Sequence, residues 1–159
     1  MPDPILTSAR DLLRRAHDDM RAAIEGLPLD ALNWRPAGSG TNSIAAMANH
    51  SLTSTRTWLS VAVAAPLPAR DRPTEFEFTA RDPAELLAFV DGMFDECLGL
   101  VDEERTVDWG ALRKHWDSGR NIELFPAWAL LHALEHLREH LGQMLLTRQL
   151  WEAQAAGLD

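Results

Sequence analysis

Apolar residues recur along this chain every three or four positions, and that period predicts helices. From 3 to 26 the apolar series is Leu6, Leu12, Leu13, Ala16, Met20, Ala23 and Ile24, closed by Gly26, Leu27 and Pro28 as a stop signal. A second series runs from 43 to 65 through Ile44, Met47, His50, Trp58 and Val61, with Asn42 or Ser43 as its cap and Pro66 and Pro68 beyond its end. The third opens on Asp82-Pro83-Ala84-Glu85, a capping acid followed by proline at the first helical position. It continues through Leu86, Phe89, Val90, Met93, Phe94, Cys97 and Val101. The fourth and longest opens near Pro126 and reaches about Gln154. Strand-type alternation is not evident, so the pattern predicts an all-α four-helix bundle occupying 1–159 as one domain.

Three connections remain, 27–42, 66–81 and 102–125, each longer than the roughly 2–8 residues usual between bundle helices. Long connections permit crossovers and are frequent carriers of function. Trp109, His115 and Trp116 lie in the last of them. They are expected to pack on the bundle, with a lid over a site mouth as the alternative.

Charge and cysteine content narrow the classes of function. The net charge is −9, and Arg10, Arg14, Arg15 and Arg21 are interleaved with Asp11, Asp18, Asp19 and Glu25. An acidic surface without a basic stripe disfavours nucleic acid. No apolar run approaches the roughly 18–20 residues that span a bilayer, and the N-terminus does not read as a signal peptide. With the single cysteine Cys97 no intrachain disulfide can form, which suits a cytoplasmic location. Cys97 reads as a small core residue.

Candidate chemistry concentrates in the fourth helix, whose stretch HALEHLREHLGQ places histidines at 132, 136 and 140. An i,i+4 step turns a side chain by only about 40° and advances it about 6 Å, so successive pairs can grip one ion. Relative to the apolar stripe, His140 lies roughly 80° off, His136 roughly 120° and His132 roughly 160°, nearest to solvent. His136 with His140 is therefore the better pair, and His50, at the border of the second helix's apolar stripe, is the natural third ligand. Three imidazoles and open positions suit Zn²⁺, Ni²⁺ or Fe²⁺. The bland readings are a hydrogen-bonded core histidine at 50 and a solvated face around 136, with Glu135 and Arg138 pairing to each other. His17 and His115 read as surface residues.

Two segments carry a family resemblance: LNWRPAGSGTNSIAAMANH, with Trp34, Arg35, Pro36 and His50, and HLREHLGQ from His136 to Gln143. The chain resembles the DinB/YfiT-like superfamily of four-helix bundles. By position, the resemblance implies a metal triad of His50, His136 and His140, leaves His132 unassigned, and implies a homodimer. It also implies a thiol-dependent S-transferase acting on a small electrophile, with a low-molecular-weight thiol of the bacillithiol, mycothiol or glutathione type as cosubstrate. Met47, Trp58 and Gln143 are the expected pocket residues, although ordinary core packing is the first reading for Met47 and Trp58. Competing readings are a metal-dependent hydrolase and a non-catalytic, stress-associated metal-binding bundle. No general base stands out; Glu135, Glu139 and Gln143 flank the pair.

Overall fold

The computed structural model describes residues 1–117 and 119–157. Four long helices dominate: α1 (Pro4–Ile24), α3 (Ile44–Val63), α5 (Pro83–Leu100) and α6 (Pro126–Ala155). Two short helices, α2 (Leu29–Asn33) and α4 (Arg72–Glu75), lie in the first two connections. The third connection holds a hairpin, β1 (Arg113–Asp117) with β2 (Arg120–Leu124).

The helix starts are set by local chemistry. Asp3 accepts from the amides of Ile5 and Leu6 at 2.8 and 3.2 Å, Ser43 from Ala46 at 3.2 Å, and Asp82 from Ala84 and Glu85 at 2.7 and 3.1 Å. Each satisfies amides that the first turn leaves without partners. The ends are equally local. Gly26 turns the chain after α1 with φ 78°, a left-handed conformation that glycine adopts without steric cost.

The packing places α3 at the centre. It lies against both α5 and α6, while α1 closes the other side against the same two helices. The order around the bundle is thus α1, α5, α3, α6, and the chain crosses diagonally from α1 to α3 and again from α5 to α6. Those two crossings account for the length of the first and third connections. Because neighbours surround α3, all its residues except Asn49, Thr53 and Arg56 are buried. The one-sided stripe expected for this helix is therefore an underestimate. Several of its buried hydroxyls donate within the helix, as where Thr57 and Ser60 reach the carbonyls of Thr53 and Arg56, both at 2.9 Å, whereas Thr55 Oγ1 is buried without a partner among the described residues.

Two further expectations are corrected. The 102–125 connection is not all irregular: Lys114 pairs with Glu123 and His115 with Ile122 across an antiparallel ladder. The strands are short and polar, so their alternation is weak in sequence. His17 is not a free surface residue; its Nε2 meets Asp91 Oδ1 at 2.6 Å, and its ring stacks on Phe94 at 4.7 Å, tying α1 to α5. Cys97 is fully buried among the core residues of α5, as expected. Among the described residues no helix is long and apolar enough to cross a membrane.

Candidate metal centre

The packing of α3 against α6 brings His50 to the pair one turn apart on α6. Ring centroids are 5.1 Å apart for His50 and His136, 4.9 Å for His50 and His140, and 4.5 Å for His136 and His140. One nitrogen from each ring lies within 4.8 Å of the others, so these three histidines could hold one metal ion. His50 is buried, and the two α6 histidines are half-buried.

Each of two rings has its outer nitrogen occupied. His50 Nδ1 lies 2.7 Å from Glu75 Oε2, and His140 Nδ1 lies 3.0 Å from Gln143 Oε1. Where Nδ1–H donates to an oxygen, Nε2 carries the lone pair and is the nitrogen left to ligate. Glu75, only 5% exposed, also accepts from Arg70, whose Nε and Nη2 reach its two oxygens at 2.7 and 3.1 Å. Asn49 Nδ2 donates to the Glu75 carbonyl at 3.2 Å, and Arg35 Nη2 to that of Phe76 at 2.7 Å. The Phe76 ring covers His50 at 4.1 Å. The connection between α3 and α5 is thereby pinned over His50, which explains why that residue is fully buried rather than at the border its helix pattern suggested.

His136 differs. Its Nδ1 is buried without a hydrogen-bond partner among the described residues. Such an orphan costs on the order of 1–3 kcal/mol, so a bound ligand would relieve it. The donor chemistry and this orphan both fit a metal ion.

The family model of the DinB superfamily matches residues 12–144. The chain belongs to the DinB superfamily. No curated protein matches it. The matched span includes all of α3 and the part of α6 that carries His136 and His140.

Electrostatics in this DinB-superfamily chain favour the ligating form of the rings. Burial, joined by His140, His50, His132 and Arg70, pushes His136 down to about 3. Burial also lowers His50, against the opposing pull of Glu75. Both are neutral at pH 7, and a neutral imidazole is the form that binds metal.

The expected pocket residues divide between two cavities. Trp58, 4% exposed, lines a cavity of about 160 Å³ against His50 and His136. Met47 and Gln143 instead line a separate cavity of about 320 Å³ with Thr41 and Leu150. Gln143 meets the triad through His140.

His132 does not point to solvent. It is half-buried, stacked on Trp128 at 4.9 Å with the edge of Trp58 4.8 Å away, and it lines the smaller cavity. A wheel drawn on one helix omits the neighbour that covers a wider arc. His115 is likewise buried, 4.9 Å from Trp58. Trp116 is exposed, and Trp109 is remote, its Nε1 donating to Asp3 Oδ2 at 2.8 Å. Arg138 pairs with Asp19 on α1 rather than with Glu135. Glu75 and Arg70 escaped the sequence reading. They lie in a connection without periodicity, and the only signal there was its length.

Proposed function

We propose that His50, His136 and His140 hold one divalent ion, and that the chain is a metal-dependent enzyme joining a low-molecular-weight thiol to a small electrophile. The observation that carries this reading is the meeting of three imidazoles from two helices. The outer nitrogens of two of them are occupied by Glu75 and Gln143. Hydrogen bonds of that kind orient ligating rings and raise their basicity. Zn²⁺, Ni²⁺ and Fe²⁺ all suit such a set.

A divalent ion with an open position holds a thiol as thiolate near neutral pH, which supplies the nucleophile. The chain's own residues do the rest. Glu75, itself held by Arg70, fixes the His50 ring, and Gln143 fixes that of His140. Trp58 and His132 wall the adjoining cavity, the space in which an electrophile would approach such a thiolate.

Metal analysis of untagged protein is expected to find one equivalent, lost in His50→Ala and His136→Ala variants. Full metal content in both would refute the ligand set. In Co²⁺-substituted protein, added glutathione or another physiological thiol should shift the visible spectrum. A bound ion whose spectrum ignores all such thiols, with turnover of electrophilic esters in their absence, would replace transfer by hydrolysis.

A further inference from the structure

Two cavities flank the histidine triad along the groove between α3 and α6. The two helices run antiparallel there: Trp58 meets His132, His50 meets His136 and His140, and Met47 shares a cavity with Gln143. Trp58 and His132 thus stand on one side of the triad, Met47 and Gln143 on the other. Met47 precedes His50 by three residues and Gln143 follows His140 by three, so each stands about 4.5 Å along its helix from a triad histidine. At about 320 Å³ the Met47–Gln143 cavity is twice the size of the other and lies within the roughly 300–1,000 Å³ of small-molecule sites. No ionisable side chain lines it among the described residues. Thr147 lines it and is only 6% exposed, yet its hydroxyl has no hydrogen-bond partner among the described residues, and neither has the side chain of Asn42. Gln143 Oε1 accepts from His140 Nδ1, which leaves the Gln143 amide nitrogen to donate elsewhere. Pro36, Leu146 and Leu150 complete the wall with apolar surface.

We infer that this cavity is a substrate subsite of the triad and that it takes an uncharged, amide-bearing group. The inference rests on the reading of the triad as the reacting centre. An amide carries both a donor and an acceptor, and so does the set of Asn42, Thr147 and Gln143, so each side can satisfy the other. A buried hydroxyl without a partner is costly, and a ligand group bonded to Thr147 removes that cost. A carboxylate or an ammonium group would enter without a counter-charge, and taking an unpaired charge out of water costs far more than taking an amide. The apolar walls give contact surface to the carbon chain on either side of the amide. Gln143 ties the cavity to the centre: a ligand oxygen accepting from its amide nitrogen engages the side chain that also holds the His140 ring. Occupancy of the subsite is therefore felt at that ring.

The test uses the full chain with hexanamide as probe and hexanoate, of the same shape but charged, as its control. Binding is followed by NMR, in metal-free protein so that hexanoate cannot ligate an ion. Hexanamide is expected to bind about tenfold or more tightly than hexanoate. Its shifts should centre on Asn42, Met47, Leu146 and Leu150 and include the ring signals of His140. Thr147→Val, which keeps the shape and removes the hydroxyl, should weaken hexanamide about three- to tenfold, the effect of one neutral hydrogen bond, with Zn²⁺ uptake unchanged. Asn42→Ala should act in the same direction. Absence of hexanamide binding, equal affinity for hexanoate, or full affinity in folded Thr147→Val and Asn42→Ala variants overturns the inference. So do shifts centred on Trp58 and His132, or cavity shifts that leave His140 unmoved. The parent comparison stands even if a variant fails to fold. Glutathione added to Zn²⁺-loaded protein displaces hexanamide if the amide belongs to the thiol, and leaves it bound if the amide belongs to the electrophile. A Zn²⁺ site without a preference for hexanamide sinks the inference alone; hexanamide binding as described without any Zn²⁺ uptake sinks the reading beneath it.

Discussion

Replacing Glu75 by glutamine tests how the connection between α3 and α5 supports His50. The carboxylate is 5% exposed and accepts from His50 Nδ1 and from two nitrogens of Arg70. Glutamine keeps the shape but has one accepting oxygen in place of two, and no charge. At least one donor on His50 or Arg70 loses its partner. A lost charge-assisted hydrogen bond costs about 1.5–3 kcal/mol. Breaking a buried ion pair costs about 3–5 kcal/mol, but the Arg70 side chain, 18% exposed, can turn toward water. A loss of about 2 kcal/mol follows, and in a domain of this size each kcal/mol moves Tm by about 2–4 °C, so the melting point should fall by about 4–8 °C. With the His50 ring less firmly oriented, metal affinity should drop about 10- to 100-fold. Competition between the protein and a chromophoric chelator for Zn²⁺, with melting curves on metal-free and loaded protein, measures both. A folded Glu75→Gln variant with a Kd within about twofold of the parent would refute the argument that this carboxylate positions a ligand.

Other expectations follow from the same structure. His136 and His50 are held neutral by burial, with folded values depressed below those of the unfolded chain, so the unfolded state takes up their protons first. Metal-free protein should therefore lose stability as pH falls below about 6.5, with a slope of up to about 1.4 kcal/mol per pH unit for each group. For His136 that loss should continue toward about 3. Urea midpoints between pH 8 and 5 measure this, and a slope unchanged in His136→Gln would count against a buried neutral imidazole. Burial pushes the Cys97 thiol up to about 12, so iodoacetamide at pH 8 should leave it intact in native protein and modify it in urea; rapid native labelling would contradict that. Asp82→Ala removes the cap of α5 and should cost about 1 kcal/mol, or about 2–4 °C in Tm. A melting point unchanged by this substitution would show that the cap contributes nothing.

The long helices were legible because the interactions that define them are local. A cap reaches two or three residues along the chain, and an apolar face repeats every turn, so Asp82 with Pro83 and Glu85 announces α5 without reference to any other element. The HxxxH spacing of 136 and 140 is local in the same sense. What one helix cannot encode is its neighbour. The register of α3 against α6, which sets His50 beside that pair, comes from two surfaces packing together, and so does the burial of His132 between Trp58 and Trp128. Helical spacing pointed to the pair and offered His50 as a third ligand, and the family pattern pointed to the same three histidines.

The sequence by itself determined where the helices begin and end, and which two α6 histidines share a face. Only the tertiary structure decided that Glu75, twenty-five residues beyond His50, would fold back to hold its ring, and that Arg70 and Arg72 would line the space beside it. The reason is physical. An aperiodic connection has no repeating pattern to read, and its side chains acquire roles only when the elements at its two ends fix where it must cross.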